Sequence, residues 1–248
     1  MMSPSGAPTI GEALVTPTPR TAPSATPRPS SAEPTLAVDT FAQVVTTDLV
    51  VRTAPGTGPD SEEIPGRIAH HPVYIVDGPV RADGYEWWLI VPDEWGGIGG
   101  MYSPGWVAAG GDSEVWLAPA SRHCEPNPSS EELWAMSLIE RVGCYAGTEL
   151  TLRGVLFHCA APADRPDYCG LRYCPPTQPD YCGAAADIPT LALRMEPPSD
   201  RLEGRLVVTG HFADPAAEEC GRDQGWRAGL AVFACKTEFH VTEYRFTD

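Results

Sequence analysis

The sequence predicts a mainly β protein in two parts: a small barrel, followed by a disulfide-braced β-rich domain with one short helix. Three observations carry that expectation. Short runs of β-branched and aromatic residues, divided by Gly, Pro and Asp, recur between Leu49 and Leu117. Runs of the same kind return beyond Glu149. All eight cysteines lie beyond residue 123, so the first part must stand on its core alone while the second has covalent bracing to draw on.

The bulk numbers narrow the function. A chain of 248 residues is long enough for two small domains. Its 17 Lys and Arg against 33 Asp and Glu give a formal charge of −16. Such a balance opposes nucleic-acid binding, which needs a basic surface to displace counterions, and opposes adhesion to anionic lipid. No apolar run reaches the ~18 residues of a membrane span. Met1 to Thr21 lacks the basic start and apolar stretch of a signal peptide. Either the start is truncated or the protein is cytosolic with free thiols; the even cysteine count favours an oxidising compartment, and a secreted or cell-surface protein is the expectation.

Residues 1–37 read as a disordered stalk. Ser, Thr, Ala and Pro dominate there, and such a segment cannot bury enough apolar surface to offset its ordering entropy. Extended, partly polyproline chain is expected.

Residues 38–120 form the first barrel. Phe41 to Val45 and Leu49 to Arg52 are strands separated by the Thr46-Thr47-Asp48 corner. Pro55 to Asp60 is a loop by composition. Val73 to Val76 is the next strand, and Asp83-Gly84 marks a hairpin turn. Tyr85 to Val91 is the strongest strand in the chain. Within this region Leu49, Val51, Arg52 and Pro55 follow a Leu-x-Val-Arg-x-x-Pro pattern. Trp87 or Trp88 supplies a central tryptophan, and Gly105-Trp106-Val107 a closing Gly-Trp-Val. In that order these anchors resemble the bacterial SH3-like (SH3b) domain, over about a third of the chain. The resemblance implies an SH3-like barrel acting as a binding module in a cell-envelope or secreted protein.

Residues 121–248 form the cysteine-rich β domain. Ser129 and Glu132 are spaced as a capping box, and Leu133, Met136 and Ile139 at helical spacing predict one helix to about Val142. Cys124 and Cys144 flank it and are expected to pair, as are Cys220 and Cys235. Strands follow at 149–157, 190–195, 206–212 and within 231–246, a count that suggests a small α+β fold or an OB-like barrel. The insertion at 159–187 repeats Pro-Asp-Tyr-Cys-Gly at 166–170 and 179–183. It reads as a disulfide-held surface loop that contributes no regular strand pair. Cys159, Cys169, Cys174 and Cys182 allow three connectivities.

Tyr85 and Trp87 share one face of their strand, Glu86 and Trp88 the other. Because Glu86 belongs outside, Trp87 is assigned inward and Trp88 outward. Trp88, Trp95, Tyr85 and Tyr102 are then the candidates for a ligand-binding surface for sugar or peptide, the alternative being that Trp88 packs under the Gly-rich loop or against the second domain. His158 and Cys159, Cys169, Cys174 and Cys182 offer zinc ligands but lack paired Cys-x2-4-Cys knuckles, so disulfides are favoured and no metal or cofactor is expected. His211, Asp214 and Glu218 or Glu219 lie close in sequence, but without a nucleophile or metal partner they do not make a catalytic centre. Adjacent His70 and His71 face opposite ways in a strand and read as turn residues. No Gly-x-Ser-x-Gly or His-Glu-x-x-His motif occurs.

The expectation is therefore a non-catalytic extracellular or cell-envelope binding protein. Its partner would be cell-wall peptide or glycan, or another extracellular polymer. An adaptor binding an extracellular protein is the second reading and a divergent hydrolase the third.

Overall fold

Seven strands between residues 40 and 119 build one antiparallel sheet, and five between 150 and 246 close into a barrel. The computed structural model describes residues 35–93, 103–111, 113–159, 168–173, 190–198, 203–220 and 228–247. The stalk expected at 1–37 therefore lies almost wholly outside the described residues.

The sheet runs through β1 (Thr40–Val44), β2 (Leu49–Arg52), β3 (Glu63–Ile68), β4 (Pro72–Ala82), β5 (Tyr85–Pro92), β6 (Gly105–Ala108) and β7 (Leu117–Pro119). Their spatial order is β3-β2-β6-β5-β4-β1-β7. The Asp83-Gly84 turn forms as its composition predicts: Ala82 pairs Tyr85, and both turn residues have positive φ, 51° and 83°. That conformation matches the twist of the flanking strands and suits the Asp-Gly pair.

The orientation assigned to the two tryptophans is overturned. Trp88 points into the main core of the sheet, among Val51, Ile75, Ile90, Val107 and Leu117. Trp87 lies on the opposite face with Leu89, Trp106 and Ala108, and each tryptophan is 4% exposed. β5 is an interior strand, between β4 and β6, and both of its faces are covered. Glu86 escapes burial because it sits beside the hairpin, where it meets Arg81 at 3.1 Å. Its exposure carries no information about Trp88, two residues deeper in the strand.

Two helices follow where one was expected: α1 (Ser130–Ala135) and α2 (Leu138–Tyr145). The Ser129–Glu132 capping box forms, and a second one, Ser137 with Glu140, restarts the helix. The carbonyls that the break leaves at Leu133 and Trp134 accept from buried Arg141 at 2.8 and 3.1 Å. Desolvation lowers the Arg141 pKa to about 10, still high enough to stay protonated at neutral pH. Cys124 and Cys144 pair across this helical segment as expected.

The barrel is β8 (Leu150–His158), β9 (Tyr168–Arg172), β10 (Thr190–Arg194), β11 (Gly204–His211) and β12 (Phe239–Phe246). Its ring order is β10-β12-β11-β8-β9, with the β10–β12 contact parallel. Two expectations fail here. The 159–187 insertion does supply a strand: β9 pairs with both β8 and β10. Cys169 and Leu171 alternate inward around Gly170 and are fully buried, and Cys169 is tied to Cys159. The second Pro-Asp-Tyr-Cys-Gly copy, with Cys174 and Cys182, lies outside the described residues. The stretch read as strand from 231 begins instead as α3 (Ala228–Lys236), a third helix, and β12 starts only at Phe239. Its Leu-Ala-Val-Phe-Ala run is locally ambiguous, and packing of Leu230 and Phe233 against the first sheet settles it as helix. Cys220 and Cys235 pair as expected.

Sheet and barrel meet through these helices. Ile139 and Val142 of α2 and Phe233 of α3 pack on Tyr74 and Val91. Contact is close at Gly143, where an added Cβ would stand 2.4 Å from Phe41 Cζ and 2.9 Å from Tyr74 Cε2. Gly143→Val is accordingly expected to destabilise the fold by about 2 kcal/mol, within the range of overpacked cores. Gly58→Ala, where an added Cβ meets nothing within 4 Å, should stay within about 0.5 kcal/mol. Urea midpoints of the two variants and the parent chain check both values.

Candidate functional site

Two places in the described structure gather functional side chains. The larger is an open groove of about 400 Å³ on the first sheet. Tyr85 and Trp87 enter it from the same face of β5, as residues two apart in a strand must. Trp116 joins them because the segment before β7 returns along β6, its N–H donating to the Ala109 carbonyl at 2.9 Å. The Tyr85 ring stacks on Trp116 at 5.8 Å and 28°, and meets Trp87 edge-on at 6.3 Å. Both indole N–H groups are spoken for. Trp87 donates to the Ala82 carbonyl and Trp116 to Glu114, each at 3.0 Å. The ring faces, not the indole donors, are what this wall offers.

The rest of the groove is polar. Arg52, Glu63, Asp48 and Thr57 line it. Arg52 is held from below by the Ser61 carbonyl and reaches Glu63 at 3.5 Å. Thr57 is fixed by Asp83, whose Oδ2 accepts both its N–H at 2.6 Å and its hydroxyl at 2.8 Å. Those bonds, the backbone one foremost, hold the Asp83 pKa below the ordinary carboxylate value. An aromatic wall beside a cationic and anionic end can take an extended chain that has both apolar and polar groups.

Of the four residues expected to bind ligand, Tyr85 lines this groove. Trp88 is buried on the other face of β5, and Trp95 and Tyr102 lie outside the described residues. Trp87 and Trp116 were not assigned to a binding surface. Trp116 immediately precedes the short strand β7, and only the return of its segment along β6 brings it to Tyr85.

The second place is on the barrel rim. His211 ends β11, and His240 lies opposite it near the start of β12. Asp214 follows a turn at Ala213, whose φ is 54°, and caps the 3-10 turn Pro215–Glu219. Its Oδ2 stands 3.2 Å from His211 Nε2 and 2.5 Å from His240 Nδ1, while Oδ1 accepts from Ala216 N–H at 2.8 Å. The imidazoles stack at 5.4 Å. Burial pushes the Asp214 pKa up, but the Ala216 N–H and the two imidazoles outweigh it and leave it lowered. The sequence pairs His211 with Asp214. His240, 26 residues further on, joins only through strand pairing.

Cys159 and Cys169, considered as zinc ligands, form a disulfide. His70 occupies a turn with φ of 46° before β4. The chain matches no protein-family model, no curated protein and no solved structure.

Because the folded-state pKa of Asp83 is depressed, its contribution to stability is complete above the unfolded value near ~3.9. It fades as pH falls through the lower folded value. Asp83→Asn should remove that part of the acid dependence and loosen the Thr57 side of the groove. Thermal unfolding of parent and variant between pH 2 and 7 measures the effect.

Proposed function

We propose that this chain is a non-catalytic extracellular or cell-envelope binding protein. Its first sheet would act as an SH3b-like module that takes cell-wall peptide or another extracellular polymer along the Tyr85–Trp87–Trp116 groove. The observation that carries the reading is the groove itself: it is lined by Tyr85, Trp87 and Trp116, in ring contact with one another, together with Arg52 and Glu63. Stacking on sugar or peptide planes needs such faces, and the charged end suits the carboxylates and amines of a wall peptide.

The SH3b resemblance gains support from the placement of its anchors. Arg52 of the opening pattern pairs with Trp106 of the closing one, and Val107 pairs with Trp88 on β5. Three sequence-distant motifs therefore lie on adjoining strands. Three disulfides among the described residues, Cys124–Cys144, Cys159–Cys169 and Cys220–Cys235, support residence in an oxidising compartment. No helix among the described residues is long and apolar enough to cross a membrane.

The test is tryptophan fluorescence of the oxidised protein titrated with soluble cell-wall fragments. A saturable change is expected, with Trp116→Ala weakening binding at least tenfold, about 1.4 kcal/mol. Trp88→Ala should instead destabilise the fold by roughly 3–5 kcal/mol, as a buried tryptophan does. A fluorescence response absent from every fragment tested, or equal in Trp116→Ala and the parent, would sink the assignment. Capture on cells that survives Trp116→Ala would point to a protein partner docking elsewhere.

A further inference from the structure

We propose that His211, Asp214 and His240 bind one divalent transition-metal ion of the zinc class. The three candidate ligand atoms, two imidazole nitrogens and one carboxylate oxygen, all lie within 4.8 Å of one another. A tetrahedral zinc ion with bonds of about 2.0–2.1 Å holds its ligands roughly 3.4 Å apart. The 3.2 Å from Asp214 to His211 already fits, and the 2.5 Å from Asp214 to His240 has to lengthen to admit the ion.

The fold builds this convergence from the backbone upward. The β11–β12 register shifts between Thr209 and Gly210, which brings His211 opposite His240. Only glycine permits that approach, since a Cβ at position 210 would stand 2.0 Å from the His240 carbonyl oxygen. Ala213, in left-handed conformation, then turns the chain so that Asp214 comes back beneath the two rings. Cys220–Cys235 ties down the segment that follows.

The chemistry of the donors fits an ion. Ala216 N–H occupies Oδ1 of Asp214, orienting the carboxylate so that Oδ2 is the atom shown to both imidazoles. Such outer hydrogen bonds fix the geometry of metal-ligating groups. The side chains are 23%, 18% and 42% exposed, so an ion there keeps a face open to water, as sites with three protein ligands do. Lys236, the only lysine, directs its ammonium away to Asp39 at 2.8 and 2.9 Å. The net charge of −16 favours a cation in general, and two imidazoles with one carboxylate favour zinc, cobalt or nickel over calcium or magnesium.

The oxidised full chain, stripped with chelator and dialysed at pH 7.5, is titrated calorimetrically with zinc chloride. Cobalt chloride is added in parallel and followed by visible absorption. One equivalent should bind, raise the melting temperature and give cobalt d–d bands with no thiolate charge-transfer band. His240→Gln and Asp214→Asn, which retain hydrogen-bonding groups at the same positions, should each weaken zinc at least tenfold. Their metal-free melting temperatures report whether they fold. Absence of saturable binding in the parent chain overturns the proposal and leaves a His–Asp–His hydrogen-bond network. So does a thiolate band, or affinity unchanged in both folded variants.

Discussion

Tyr74 stands where the first sheet meets the barrel, and most of the architecture depends on the apolar contact around it. Its ring is fully buried against Ile139 and Val142 of α2 and Phe233 of α3, with Phe41 edge-on at 5.4 Å. Each such side chain taken from water contributes on the order of 1.5–3 kcal/mol. At the margin of the cluster the Tyr74 hydroxyl meets Asp39 at 3.4 Å, and Lys236 reaches the same carboxylate from α3. Burial, and then the Asp39 charge, raise the Tyr74 pKa, so the phenol stays neutral and tolerates the site. A second polar clasp lies nearby, where Arg122 bridges Asp93 and Glu140 and Ser137 donates to Asp93. Both clasps join the first sheet to the segments that precede or form the helices.

That contact explains why β5 is apolar on both faces. One side fills the core of its own sheet, and the other is partly covered by the helices. A strand treated this way has little exposed aromatic surface along its middle. The half-buried rings are confined to its beginning, where Tyr85 meets Trp116 over the buried Trp87 beside the hairpin. Location of the groove is thus a consequence of helix docking as much as of the strand that lines it.

The two halves are stabilised differently. Among the described residues the first sheet has only its apolar core, salt links at its rim and the tight Asp83-Gly84 turn. Among the described residues the helical segment and the barrel region add three disulfides, with sequence separations of 20, 10 and 15 residues. Closing a loop of about 15 residues removes roughly 3 kcal/mol of unfolded-chain entropy in the simplest account. Cys159–Cys169 does more than cross-link: it secures β9, the strand that closes the ring. Cys220–Cys235 likewise connects the 3-10 turn after Asp214 to α3.

Local chemistry alone determined the strand-rich class, the Asp83-Gly84 hairpin, the Ser129 cap and the pairings of Cys124 with Cys144 and Cys220 with Cys235. Each rests on neighbours in sequence or on a short loop, and alternation, turn conformation and side-chain capping act at that range. Tertiary structure decided what depends on distant segments. It buried Trp88 because that face of β5 is the core of its own sheet, filled by Val51, Ile75, Val107 and Leu117 from other strands. It made 168–172 a strand because β8 and β10 offered it backbone partners. Trp116 was brought to Tyr85, and His240 to His211 and Asp214, by strand pairing. Period and composition specify which way a side chain alternates, but only packing specifies what waits on either side.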